Sequence, residues 1–224
     1  FWAGIEADAA VLPVPVYTAV AVRRLRFAVE MAGLTGSFLP MANALNARVT
    51  AATLTDDPKL LAKYETADWD PLIVTVGVPA GTPGANLAEQ RVNYRNTVMK
   101  NIETRFRTAR IRHRVTTLEA PTSALRKFFE AGVNAGFELE RHRVGRYLIE
   151  NPTALASLTA PEQVDATKRL RDIERLFRVT ASYAETEALV ASGITSAYAV
   201  HQMGREKFVA SFTAAMTAPA ANTA

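Results

Sequence analysis

The side chains that most often carry catalysis or bind metals are few and scattered in this sequence. Its three histidines, His113, His142 and His201, form no H-E-x-x-H or H-x-x-x-H pair. Such a pair would place two imidazoles on one helical face, where they can bind zinc. The chain has no cysteine, which excludes disulfides, thiolate nucleophiles and every cysteine-containing zinc site. We therefore expect no metal and no other cofactor.

Acidic residues stand close together at three places, Asp56/Asp57, Asp68/Asp70 and Glu138/Glu140. Neighbours on a helical surface are three or four residues apart, so this spacing points the paired carboxylates away from each other. Helix caps and first-turn charges explain Asp56, Asp57 and Asp68 better than acid–base catalysis does. Phosphate-binding loops and nucleophile elbows are also missing. The sequence predicts a protein that is not an enzyme.

The strongest charge feature is the basic segment 105–114 (RFRTARIRHR), which contains no acid. Its five arginines are Arg105, Arg107, Arg110, Arg112 and Arg114. Such a stripe is a possible interaction surface for nucleic acid or an acidic protein. Alternatively, it pairs with acids such as Glu103, Glu119 or Glu130, or with a neighbouring subunit. The net charge of +4 is small for a nucleic-acid-binding protein, so we do not expect nucleic acid as the partner.

Length and composition indicate an ordinary globular protein, with 224 residues and 49% hydrophobic residues. The longest uncharged stretch near the start, Ala9 to Val22, contains two prolines and is shorter than the roughly 20 apolar residues of a membrane span. The chain begins Phe1-Trp2 without an initiator Met or a signal peptide. We therefore expect a piece of a longer protein.

Hydrophobic periodicity predicts an all-α fold, an irregular array of about ten short to medium helices in two packed lobes. Residues 17–32 form a helix that Gly33 ends, and 87–106 is the longest periodic stretch, with Leu87 and Val92 among its candidates for burial. A capping box at Thr159–Glu162 opens another helix. Residues 110–117 could instead form a short extended connection.

Turn residues at 115–121 predict the break between the lobes, which gives a first lobe over 17–114, a second over 121–213 and a flexible tail over 214–224.

Aromatic and aliphatic residues at helical spacing are the expected core anchors, because each aromatic ring buries about 150–250 Å². These are Trp69, Leu72, Tyr94, Phe106, Phe128, Phe137, Tyr147, Phe177 and Phe208.

Several short motifs of the sequence resemble motifs that occur together in one known family. The first comprises Asp68-Trp69, Leu72-Ile73, Gly77 and the loop Pro79-Ala-Gly81-Thr-Pro83-Gly84, then Glu89, Tyr94, Ile102-Glu103 and Phe106-x-Thr108. The later ones are Phe137-Glu138-Leu139, Tyr147-Leu148, Asn151-Pro152, Leu176-Phe177-Arg178-Val179-Thr180, Tyr183, Leu189, Gly193-Ile194-Thr195-Ser196-Ala197, Met203 and Phe208. Across residues 25–212 the chain resembles the A subunits of insecticidal Tc toxin complexes. It departs from them at Arg107, where the family usually has proline.

The resemblance implies a non-catalytic segment of the α-helical shell of a large virulence protein, a pore-forming and translocating toxin subunit. Its expected partners are copies of the parent chain in a homopentamer and the other subunits of the toxin complex. Contact with the host membrane would come only through other parts of the parent, which would be secreted or released from a bacterial cell. Two alternatives stay open: a free-standing helical module that binds nucleic acid or an acidic partner through the basic segment, and an enzyme whose site is completed elsewhere.

Overall fold

The protein is all-α, as the periodicity predicted. The computed structural model describes residues 18–51, 54 and 56–217, and within these residues it contains eleven α-helices, two 3₁₀-helices and no strand. No helix in this part of the chain is both long and apolar enough to cross a membrane. The chain divides into two compact units, Phe1–Ile102 and Glu103–Ala224.

The first unit contains α1 (Ala19–Leu34), α2 (Leu39–Thr50), a 3₁₀-helix (Pro58–Lys63), α3 (Thr66–Val76) and most of α4 (Leu87–Arg105). Short polar side chains start three of these elements. The hydroxyl of Thr18 accepts from the Ala21 N–H at 3.1 Å, and Asp57 accepts from the Lys59 N–H at 3.0 Å. Glu65 and Asp68 form a capping box at the start of α3. Asp57 and Asp68 therefore act as caps, as their positions indicated, whereas Asp56 pairs with Arg23 at 3.3 Å.

The end of α1 differs from the prediction, because the helix continues through Gly33 to Leu34. Thr35 ends it, with its side-chain hydroxyl donating to the Met31 carbonyl at 2.7 Å. Two consecutive left-handed residues, Gly36 and Ser37, with φ of 69° and 60°, turn the chain away. The phenol of Tyr94 then donates to the Thr35 carbonyl at 3.1 Å, which ties α4 to the end of α1.

The core of the first unit lies between α1, α2 and α3. Phe27 and Met31 of α1, Met41 and Leu45 of α2, and Trp69 of α3 are all almost completely buried. Leu87 and Val92 are 52% and 41% exposed, so their predicted burial is wrong. The buried face of α4 is set by Tyr94, Val98 and Ile102, at i, i+4 and i+8.

The loop after α3 is held by its glycines. Gly77 ends the helix with φ of 81°, and Gly84 has φ of 147° just before α4. A Cβ atom on Gly84 would lie 2.7 Å from the backbone nitrogen of Gln90. The loop therefore requires glycine at position 84 for its backbone conformation and for its close approach to α4.

We expect Gly84→Ala to lower the free energy of unfolding by about 1–3 kcal/mol, because it adds both backbone strain and a clash with a main-chain atom. Gly145→Ala is the matched control: a Cβ atom on this helical glycine would meet no other atom within 4 Å, and its φ is not positive. The control should be neutral or stabilising by about 0.5–1 kcal/mol. Urea denaturation of both variants measures the difference, and equal effects would contradict the assignment.

The second unit contains α5 (Arg107–Leu118), α6 (Ala124–Glu130), a 3₁₀-helix (Gly132–Asn134), α7 (Val144–Glu150), α8 (Ala160–Leu176), α9 (Tyr183–Ala191), α10 (Ala197–Met203) and α11 (Arg205–Thr217). Thr159 and Glu162 form the predicted capping box of α8. The alternative prediction of an extended connection over 110–117 is wrong, since these residues lie in α5. Ile111 and Val115 lie four residues apart on this helix and are both buried, so a helical face fits the core.

The division between the units precedes α5, whereas the turn residues placed the break at 115–121. The physical reason is that α5 packs against α6 and α9, both of which lie in the second unit. Of the tail expected over 214–224, residues up to Thr217 continue α11, and 218–224 lie outside the described residues.

The main core of the second unit is an aromatic cluster. The Phe137 ring lies 5.4 Å from that of Phe128, 6.3 Å from that of Phe129 and 4.7 Å from that of Tyr147. Asn134 is completely buried beside them, and its amide nitrogen donates to the Phe128 and Ala154 carbonyls at 2.9 and 2.8 Å. Its Oδ1 accepts from the Tyr147 phenol at 3.2 Å, so this polar group is satisfied inside the apolar core.

Of the nine expected core anchors, seven are buried and two are half-buried. Phe177 packs against the edge of the aromatic cluster. Phe208 packs against a smaller cluster around Leu176, Leu189, Ile194 and Phe212. The buried anchors are Trp69, Leu72, Tyr94, Phe106, Phe128, Phe137 and Tyr147.

Candidate functional site

The basic segment 105–114 crosses the boundary between α4 and α5, with Phe106 as the non-helical residue between them. Phe106 has φ of −126° and ψ of 47°, so the helix is interrupted between Arg105 and Arg107. The α5 N-terminus is held by Glu140, whose carboxylate accepts from the Thr108 backbone N–H at 2.9 Å and from the Thr108 hydroxyl. A carboxylate at this end of a helix also interacts favourably with the helix dipole.

The side chain of Arg107 packs against other elements of its own unit. Its guanidinium lies 4.0 Å from the centroid of the Phe177 ring, within the range of a cation–π contact. It donates to the Phe177 carbonyl and, at 2.9 Å, to the Thr180 hydroxyl. Burial lowers the pKa of Arg107 from its usual value, and the nearby Glu103 partly offsets this effect. This arginine therefore links the start of α5 to the end of α8.

Arg112 makes similar contacts at the 3₁₀-helix Gly132–Asn134. Its guanidinium donates to the carbonyls of Asn134 and Ala135 at 2.7 and 3.0 Å, and it lies 5.7 Å from the centroid of the Phe129 ring. Burial lowers its pKa from the usual value. Backbone carbonyls at the end of this short helix are thus satisfied by a charged donor.

The other three arginines of the segment differ in exposure. Arg110 is buried, with 4% of its surface exposed, and Arg114 is half-buried. Arg105 is the exposed member of the five, with its guanidinium 5.9 Å from the Phe106 ring centroid. The segment therefore does not present five adjacent cations to solvent, because Arg107 and Arg112 donate to backbone carbonyls of their own unit and Arg110 is buried.

The acids proposed as partners for the segment mostly pair elsewhere. The Glu119 carboxylate accepts hydrogen bonds from the two terminal guanidinium nitrogens of Arg169, at 2.7 and 2.5 Å, and from the Ser123 hydroxyl. Glu130 pairs with Arg126 at 2.8 Å, one helical turn before it. The Glu103 carboxylate accepts from the Tyr183 backbone N–H at 2.8 Å.

We expect Arg107→Ala to lower the free energy of unfolding by about 2 kcal/mol, since it removes a cation–π contact and charged hydrogen bonds to partly buried oxygens. Arg107→Lys should recover less than half of this loss, because an ammonium cannot reproduce the planar fork. Arg105→Ala changes the same residue type two positions away at an exposed site and should cost less than about 0.5 kcal/mol. Chemical denaturation measures all three; equal losses at 105 and 107 would argue against the role of Arg107.

The histidines lie apart. His142 accepts from the Glu138 backbone N–H through Nδ1 at 3.0 Å and stacks on the Phe137 ring with an interplanar angle of 18°. His113 lies on α5, and His201 lies exposed in the last turn of α10. Within the described residues, no three histidine or acidic side chains are arranged to hold a metal ion.

A small polar pocket of about 140 Å³ lies beside His142. Two acids line it, but both are engaged: Glu140 holds Thr108, and Glu174 lies 3.6 Å from Arg143. The Glu119–Arg169 pair is a third polar cluster, and the Tyr183 phenol contacts the Glu119 carboxylate there. Burial raises the pKa of Tyr183 above its usual value, so the phenol stays neutral.

Sequence reasoning did not find the pairs Glu119–Arg169 and Glu140–Thr108, whose members are 50 and 32 residues apart. No local spacing rule connects such positions. The Arg126–Glu130 pair, by contrast, has the i, i+4 spacing that the sequence displays directly. The acidic pair Asp68/Asp70 also separates as its spacing predicted, since Asp68 caps α3 while Asp70 pairs with Arg95 at 2.9 Å.

Comparison of the chain with protein-family models, with curated proteins and with solved structures finds no match.

Proposed function

We propose that this chain is a packing and interaction segment of the helical shell of a large, pentameric, pore-forming and translocating toxin subunit. It has no catalytic role of its own in this proposal. The supporting observation is that the residues on which the resemblance rests form turns and tie helices together. The proposal includes release of the parent protein from a bacterial cell.

The loop after α3 illustrates this support. Gly77 and Gly84 have positive φ angles, and Glu89 closes the loop by accepting from the Ala85 N–H at 2.8 Å. Tyr94, on the next turns of α4, holds the end of α1. A motif of this kind determines a fold and requires no substrate.

In the second unit, the residues on which the resemblance rests also lie in cores and turns. Phe137 and Tyr147 lie in the aromatic cluster. Leu176, Leu189 and Ile194 form the smaller cluster, where Gly193 has φ of 77° between α9 and α10. The residues on which the resemblance rests thus support a shell segment more directly than they support a binding pocket.

The parent protein provides the test. An antibody raised against this chain would isolate the natural gene product, whose length, oligomeric state and membrane activity can then be measured. We expect a polypeptide many times longer than 224 residues, five-fold particles in electron micrographs, and ion conductance after addition to lipid bilayers. A strict monomer that never conducts would overturn the proposal.

We do not propose the alternative of nucleic-acid binding through the basic segment. Arg107 and Arg112 donate to carbonyl groups of their own unit, and Arg110 is buried. Phosphate contacts by these three arginines would require breaking those interactions, so the geometry favours a structural role for them.

A further inference from the structure

An open groove of about 1070 Å³ runs along the outer face of α8. Residues at positions 160, 163, 164, 167, 168, 171 and 175 line one side of it. These positions lie on one helical face and extend over about 22 Å at 1.5 Å per residue. The turn between α9 and α10 lines the other side with Gly193 and Thr195. The groove therefore has the length and shape to receive about four turns of another helix.

The lining combines an apolar base with a basic edge. Leu155, Val164 and Val190 provide the apolar surface, and Val164 is 71% exposed although it lies within a helix. The opposite face of α8 is already used, since Ala166, Leu170 and Leu176 are completely buried. Val164 is thus apolar on a face that the described residues of this unit leave open.

The charges of the groove are unbalanced. Lys168, Arg171 and Arg175 line it with one acid, Asp172. Asp172 is nearly buried and pairs with Arg175 at 3.2 Å. Lys168 and Arg171 are exposed and make no ion pair with any residue that the structure describes. Two cations at i and i+3 are therefore available beside an apolar strip.

We propose that this groove binds an acidic amphipathic helix of a partner protein. The apolar stripe of that helix would cover Leu155, Val164 and Val190, and its flanking carboxylates would pair with Lys168 and Arg171. Helices that lie in grooves present anchors at i, i+3, i+4 and i+7, which matches the spacing along α8. Charge complementarity favours an acidic partner, and the apolar base favours a helix over a flexible polyanion. This inference does not depend on the toxin proposal, because it uses only residues 155–195.

The probe is a labelled 18-residue synthetic peptide with leucine at every third or fourth position and glutamate beside each leucine, measured by fluorescence anisotropy with the full 224-residue chain. A second peptide carries lysine in place of every glutamate. We expect saturable binding of the acidic peptide and at least tenfold weaker binding of the basic one, since like charges would then meet.

The variant Lys168→Glu with Arg171→Glu should weaken the acidic peptide at least tenfold and strengthen the basic peptide. Arg146→Glu with Arg205→Glu is the control, because it makes the same change of net charge at exposed positions outside the groove. Val164→Ser should weaken both peptides without reversing their order. Circular dichroism of each variant verifies the fold.

Three results would overturn the proposal. The first is no saturable binding of the acidic peptide, and the second is an equal loss in the Arg146/Arg205 control. The third is tighter binding of a single-stranded oligonucleotide than of the peptide, with the same dependence on Lys168 and Arg171, which would assign the groove to nucleic acid.

Discussion

Replacing Phe137 by alanine should lower the free energy of unfolding by about 3–5 kcal/mol. Its ring is 1% exposed and contacts the rings of Phe128, Phe129 and Tyr147. The substitution removes most of the shared surface of these rings and leaves a cavity that the helices on either side cannot close without moving. Aromatic contacts add about 0.5–1.5 kcal/mol per pair beyond the burial of area, so the loss belongs at the upper end of the usual range.

Urea denaturation followed by circular dichroism measures this effect. Ile149→Ala is the control within the same unit, since Ile149 is 82% exposed and its truncation should cost less than about 0.5 kcal/mol. If Phe137→Ala changed the midpoint no more than the control does, Phe137 would not be at the centre of this core.

Trp69→Ala should have an effect of similar size, about 3–5 kcal/mol, on the first unit. Trp69 is completely buried on α3, and its ring lies 5.3 Å from that of Tyr64. Its indole N–H has no hydrogen-bond partner among the described residues. The contribution of this side chain to stability is therefore apolar packing, with a cost from the unpaired donor.

Trp69→Phe separates the two contributions. Phenylalanine keeps much of the apolar contact and removes the unpaired N–H, so we expect a loss of less than about 1.5 kcal/mol. Val74→Ala, an exposed change on the same helix, should be nearly neutral. A loss for Trp69→Phe as large as that for Trp69→Ala would mean that the indole nitrogen has a role that packing does not explain.

Helix boundaries followed from local chemistry wherever a side chain acts on its own turn. Thr159 and Glu162 start α8, and Ser182 and Ser196 cap the next two helices by accepting backbone N–H groups at 3.2 and 3.1 Å. Each of these bonds joins residues three positions apart, so the sequence contains both partners. The sequence did not decide between a helix and an extended segment at 110–117, because arginine and threonine residues give only a weak hydrophobic periodicity.

The use of charged residues did not follow from the sequence. A run of five arginines has the same appearance whether it faces water or backbone carbonyls. Arg107 reaches Phe177, 70 residues away, and Arg112 reaches Asn134, 22 residues away. Only the packing of α5 against its neighbours brings these carbonyls within reach. The same applies to Val164 and Val92, which are apolar and periodic but lie on faces that no described element of their own unit covers.

The amino-acid sequence by itself determined the all-α class, most helix ends and the aromatic residues that form the cores, because periodicity and capping act over a few residues. Tertiary structure decided which arginines are buried, which groups they bind and where an apolar face stays exposed. Those outcomes depend on contacts between residues that are distant in the chain. The effect of tertiary structure is clearest at α8, where one face completes the core and the other leaves two cations beside an exposed valine.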